Sequence, residues 1–268
     1  MSRRALSLLF FSPIVGAAIL LALHALLPLA ENGAAALLLE TGASLLCTLA
    51  ALALCLRTGI RFMPPKGARF TFPSPCPPIF LICTVLCLLV AINNLPFLSL
   101  FTARARITAG VGRILLFALS CLSTAAFEEL FFRGLLFSLC LRRWRIFPAV
   151  LLSSTAFGVA HLFNLAAGAS LPETLLQVGY SFLIGAAAAM LFLFSRSILL
   201  PILFHTVYNF GGLLVMRLGE GQIFDTPTVI FTAILAAFCA LSLFFSLFSP
   251  VLEEVKKQFR DINPIKTP

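Results

Sequence analysis

Apolar residues run along this chain in eight blocks, separated by short polar or basic stretches. The blocks cover residues 5–29, 34–56, 78–101, 111–140, 146–167, 174–194, 198–215 and 228–247. Each is long enough to cross about 30 Å of hydrocarbon at about 1.5 Å of rise per residue, and none shows the ten-residue alternation of a membrane barrel. Backbone groups in hydrocarbon must be satisfied internally, so the blocks read as helices. The first block follows Arg3 and Arg4, but its apolar stretch is longer than a secretory signal core, and it reads as a retained helix. The pattern predicts an all-α polytopic membrane bundle of about eight transmembrane helices.

Composition sharpens this. The 268 residues are 60% hydrophobic and 11% charged, which excludes an ordinary soluble domain and a disordered chain alike. Too few polar residues remain for a second, water-soluble domain. The expectation is one membrane-embedded domain over 1–268, with a motif-bearing core at about 111–215, a Pro-rich basic linker at 57–77 and a tail at 251–268. The formal charge of +9 is dispersed in short clusters between apolar runs, so nucleic acid is not an expected partner.

Alternate loops differ in positive charge. Counted with the N-terminus inside, 14 Lys and Arg fall on the inner side, among them Arg57, Arg142, Arg143, Arg145 and Arg196, against Arg104, Arg106, Arg113 and Arg217 outside. The positive-inside rule then gives an N-in, C-in topology, with the linker and tail in the cytoplasm. Arg104, Arg106 and Arg113 run against the rule and are expected to lie along the interface. The eight cysteines form no C-x-x-C pair and no metal-type spacing with histidine, so they read as buried thiols.

Polar residues inside the blocks carry the functional signal. The fourth block reads T-A-A-F-E-E-L-F-F-R-G, which buries Glu128, Glu129 and Arg133 in apolar sequence. Each such charge costs about 2.5–3.5 kcal/mol at the centre of a bilayer unless it is paired or neutralised. Glu129 and Arg133 are i, i+4 and share a helix face, whereas Glu128 projects about 100° away. This spacing pairs Glu129 with Arg133 and leaves Glu128 free to work as an acid or base. The fifth block adds Phe157 and His161, and the seventh adds His205 and Asn209, each pair again at i, i+4. Measured from the inner helix ends, Glu128 and His161 lie about 20 Å deep, and His205 about 10–14 Å. They can converge in one cavity, which is expected to open toward the cytoplasm.

Two chemistries suit Glu, His, His and Asn. His161, His205 and a glutamate are a possible ligand set for catalytic zinc, although no H-E-x-x-H is present. Metal-free hydrolysis is the other: a carboxylate and an imidazole polarise water while a second imidazole and an amide stabilise the oxyanion. Serine and aspartyl intramembrane proteolysis fit poorly, because there is no G-x-S-x-G and no block contains an aspartate. A proton-coupled transporter would call for an inverted repeat, which is not found. A non-catalytic scaffold or immunity protein would keep the fold without turnover.

The runs E-E-L-F-F-R-G, F-G-V-A-H and H-T-V-Y-N resemble the EExxxR, FxxxH and HxxxN motifs of the CPBP family, which comprises CAAX proteases and bacteriocin-processing enzymes. The likeness covers about residues 111–215. It implies an intramembrane glutamic endopeptidase in which Glu128 and His161 activate water, His205 and Asn209 form the oxyanion hole, Glu129 and Arg133 support the site, and Phe157 packs against it. It implies no cofactor and no metal. The expected partners are the bilayer and a membrane-associated protein or peptide substrate. The short loops suit a prokaryotic inner membrane.

Overall fold

The computed structural model describes residues 33–60, 97–166 and 168–221, with isolated positions at 85, 89, 237, 256 and 257. The expected first span, most of the third, nearly all of the last, nearly all of the linker and almost the whole tail lie outside the described residues. Within them the order is α1 (Gly33–Arg57), α2 (Phe97–Phe101), β1 (Ala105–Ile107), α3 (Val111–Glu129), a π-helical segment (Leu130–Phe137), α4 (Ser138–Arg143), α5 (Ile146–Ala160), α6 (Phe163–Ala166), α7 (Leu171–Ser195), α8 (Leu199–Leu218) and β2 (Gly219–Gly221). α3, the π segment and α4 form one continuous helix. Five helical stretches among the described residues are long and apolar enough to cross a membrane: Gly33–Arg57, Val111–Arg143, Ile146–Ala166, Leu171–Ser195 and Leu199–Leu218. These match five of the eight expected blocks, and the chain is a polytopic membrane helix bundle.

The first turns of three helices are marked by proline. Pro148, Pro172 and Pro201 each sit in the first turn of α5, α7 or α8, where the missing N–H would have had no helical partner. α7 also begins three residues before the expected Thr174. Ser170 accepts from the Glu173 N–H at 3.4 Å and donates to its carboxylate at 2.7 Å, a reciprocal cap whose S-x-x-E spelling is visible in the sequence.

Small and polar residues dominate the inward face of α1. Thr41, Ser44, Cys47, Ala51 and Cys55 are buried together with Leu37, while Leu46 and Leu49 point outward. Lipid is as apolar as leucine, so leucines gain little by packing inside, and small residues let helices approach closely. Contacts along α1 and α3 keep the same order: Ser44 bonds Thr124 at 3.0 Å and Cys55 approaches the Leu130 carbonyl at 3.5 Å. The two helices therefore run parallel. Arg142 donates to the Thr58 carbonyl at 3.3 Å, which brings the basic ends near 57 and 142–145 together. α8 is antiparallel to α3, with His205 beside Glu129 and Phe210 beside Phe117.

Arg106 lies in a short strand, with Arg104 directly before it. β1 and β2 form a two-stranded antiparallel ribbon with Arg106 opposite Glu220, bonded at 2.7 Å. Gly219 and Gly221 face the carbonyls of Arg106 and Arg104 so closely that a Cβ would not fit, and Gly221 has φ +112°. This ribbon was not expected, because its strands are three residues long and one is G-E-G.

α5 packs against α7 through glycine. A Cβ on Gly158 would stand 2.8 Å from the Val178 carbonyl. Gly158→Ala is expected to push the two helices apart and cost about 1–3 kcal/mol, read as a lower melting temperature in detergent. An unchanged melting temperature would mean that this contact does not limit helix approach.

Candidate active site

The long helix changes pitch immediately after the glutamates. From Leu130 to Phe137 the backbone is π-helical, and its carbonyls collect donors from outside the regular ladder. Ser153 on α5 donates to the Phe132 carbonyl at 2.9 Å, Ser138 to the Arg133 carbonyl at 3.2 Å, and Cys55 to that of Leu130. Such wide turns recur at functional sites, and in a membrane they persist only where neighbouring groups satisfy the backbone.

Glu129 and Arg133 are both fully buried, and Arg133 Nη1 donates to Glu129 Oε1 at 2.6 Å. This is the expected i, i+4 pair. The same carboxylate oxygen accepts from His205 Nδ1 at 2.8 Å. The opposite ring nitrogen, Nε2, stands 3.4 Å from Glu128 Oε2. Glu128 is thus not free, as the spacing along its own helix suggested. The two glutamates diverge, yet one imidazole on another helix, with a nitrogen on each edge, meets them both.

Phe157 sits between the charged groups and the histidines. Its ring lies 4.4 Å from the Arg133 guanidinium carbon, and it makes edge contacts with His161 at 5.0 Å and His205 at 5.6 Å between centroids. The cation over the ring face stabilises a buried guanidinium that has few hydrogen-bond partners. Gly185 makes room for this arrangement, since a Cβ there would meet Arg133 Nη2 at 3.0 Å and the Phe157 ring at 3.2 Å.

His161 ends α5, which breaks there into a tight turn before α6; the fifth block is not one continuous helix. Irregular backbone at this depth lines a cavity. His161 Nδ1 bonds the Phe157 carbonyl at 3.0 Å. A carbonyl only accepts, so Nδ1 carries the hydrogen and Nε2 the lone pair.

A cavity of about 280 Å³ adjoins these groups, lined by Glu128, His161, His205 and Asn209, with Phe132 and Phe157 among its walls. Asn209, one turn beyond His205, makes no side-chain hydrogen bond among the described residues. The structure therefore gathers Glu128, Glu129, Arg133, His161 and His205 through direct contacts or a shared ring, and places Asn209 on the same cavity wall. Sequence reasoning passed over further lining residues: Glu40 and Ser44 on α1, Thr124 on α3, Gln177 on α7 and Arg217 on α8. Glu40 was detectable as the single charge in the second block. Thr124 and Arg217 continue the i, i+4 rows of Glu128 and Asn209. Among the described residues, no three His, Cys, Asp or Glu side chains are arranged to hold a metal ion.

The cavity's more exposed lining residues, Leu213 and Arg217, lie at the helix ends opposite Arg57 and Arg142. Bulky buried residues of the π segment, Phe131, Phe132 and Phe137, lie in the other direction.

Site and fold together define a membrane-embedded domain with acid–base groups on a buried cavity. Residues 110–211 match the family described as Type II CAAX prenyl endopeptidase Rce1-like. The match covers over a third of the chain and contains all six candidate residues. The matched segment is similar to the CPBP/CAAX protease family, and that likeness points to an intramembrane protease. No curated protein matches the chain.

Removing charge from Glu129 strands Arg133 in a buried site. Glu129→Gln is expected to cost about 3–5 kcal/mol of stability as well as activity. A variant that melts and reacts like the wild type would contradict the pairing.

Proposed function

We propose that the protein is an intramembrane glutamic endopeptidase that hydrolyses a peptide bond in a membrane-associated protein or peptide. The observation that supports this reading most is His205 held between Glu129 and Glu128 on the wall of a cavity. Glu129 pairs with Arg133 and also bonds His205 Nδ1, which leaves Glu128 and His205 Nε2 facing each other beside the cavity. In the proposed reaction Glu128 serves as the base there and His205 Nε2–H as the donor. They stand 3.4 Å apart, close enough for one reacting oxygen on the cavity side to contact both.

The reaction then uses each group once. Glu128 takes a proton from water, with His161 Nε2 accepting the second water hydrogen as a hydrogen bond and thereby aiming the oxygen. The water oxygen attacks the scissile carbonyl. His205 Nε2–H and the Asn209 amide donate to the oxyanion, and Glu128 passes its proton to the departing amine as the C–N bond breaks. Glu129 and Arg133 hold the His205 ring and touch no reacting atom.

Under this scheme, a mixed peptide library incubated with purified protein and read by mass spectrometry should show cleavage by the wild type and none by Glu128→Gln. Cleavage that persists in Glu128→Gln would place the reaction elsewhere. Asn209→Ala is expected to lower kcat by about 10²–10³ with little change in KM, the usual loss for one oxyanion donor. An unchanged kcat would remove Asn209 from the mechanism.

A further inference from the structure

The cavity continues along α8 as a single stripe. His205, Asn209, Leu213 and Arg217 all line it, at i, i+4, i+8 and i+12. From Asn209 to Arg217 the helix rises about 12 Å, and from His205 about 18 Å. The opposite wall is built the same way, with Thr124 one turn before Glu128. An extended peptide advances about 3.4 Å per residue, so the stripe matches about four to five residues beyond the oxyanion donors.

Arg217 closes the far end. Its side chain is 45% exposed, and its contact to Glu40 is long, at 3.5 Å, with Glu40 less exposed at 26%. A guanidinium has five N–H donors, and this pairing occupies one. The other acids at this end are engaged: Glu220 by Arg106 and Glu173 by its cap on Ser170. Arg113, in the first turn of α3 and beside Gly33, adds positive charge to the same end, where the charge rule did not call for it. The arrangement suits an anion arriving beside Arg217.

We infer that this stripe holds an extended segment of the substrate and that Arg217 pairs with a substrate carboxylate about four to five residues from the scissile bond. This rests on the protease reading above and adds a specificity determinant to it. The carboxylate has two sources, an acidic side chain or a free C-terminus. Arg217 in the last turn of α8 also complements the negative end of the helix dipole, a role that would not discriminate among peptides.

The test uses the full chain in detergent and four synthetic peptides sharing one scissile sequence. They carry at that distance a glutamate, a free C-terminal carboxylate, a glutamine or a lysine, with the C-terminus amidated except in the second. The wild type is expected to favour one or both carboxylate peptides. Arg217→Gln should raise their KM about fivefold, leave kcat unchanged and spare the glutamine peptide, with Arg217→Lys recovering part of the preference and added salt erasing it. Preference between the first two peptides identifies the source. Equal cleavage of all four, preference for lysine, or a preference untouched in Arg217→Gln would overturn the inference while the protease reading stands. If the wild type cleaves none, binding of the fluorescent peptides decides. Carboxylate-dependent binding lost in Arg217→Gln keeps the inference and counts against the protease reading; its absence overturns the inference.

Discussion

One carboxylate oxygen, Oε1 of Glu129, holds the centre of this bundle. It accepts from Arg133 on its own helix and from His205 on α8, in a site with no exposure to solvent. No member of this cluster is tolerable alone in hydrocarbon, where an unpaired charge costs several kcal/mol. Each is stabilised only when the other two are in place, so helix register and ring orientation are fixed by the same contacts. The orientation of His205 and the packing of α8 against α3 are therefore one constraint.

The surrounding irregularities follow from it. The π turn from Leu130 carries Arg133 and has carbonyls that Ser153, Ser138 and Cys55 satisfy. Gly185 yields the space that the guanidinium and the Phe157 ring occupy. α5 stops at His161, which turns the second imidazole toward the cavity. Regular helix elsewhere supports these departures, and the departures coincide with the cavity. The bundle thus surrounds a small cavity on which these polar groups converge.

Much of this was legible in the sequence, for definite reasons. Long apolar blocks fix the spans because hydrocarbon admits few alternatives, and the i, i+4 spacing fixes the Glu129–Arg133 pair because both lie on one helix. Contacts between helices were less accessible. The bond from His205 to Glu129 and the approach to Glu128 depend on how α8 crosses α3, which no local pattern encodes. The π turn and the break at His161 likewise arise from tertiary partners. The β1–β2 ribbon escaped notice because three-residue strands with glycines carry no periodic signal.

Whether the histidines act on protons or on a metal is the sharpest question for the proposed mechanism. The direct measurement is peptide cleavage by the purified chain after exhaustive treatment with a strong chelator, with bound metal quantified in the same samples. The account predicts that cleavage continues at the untreated rate in metal-free protein. Loss of cleavage on treatment, restored by zinc at about one ion per chain, would contradict it and recast His161 and His205 as ligands.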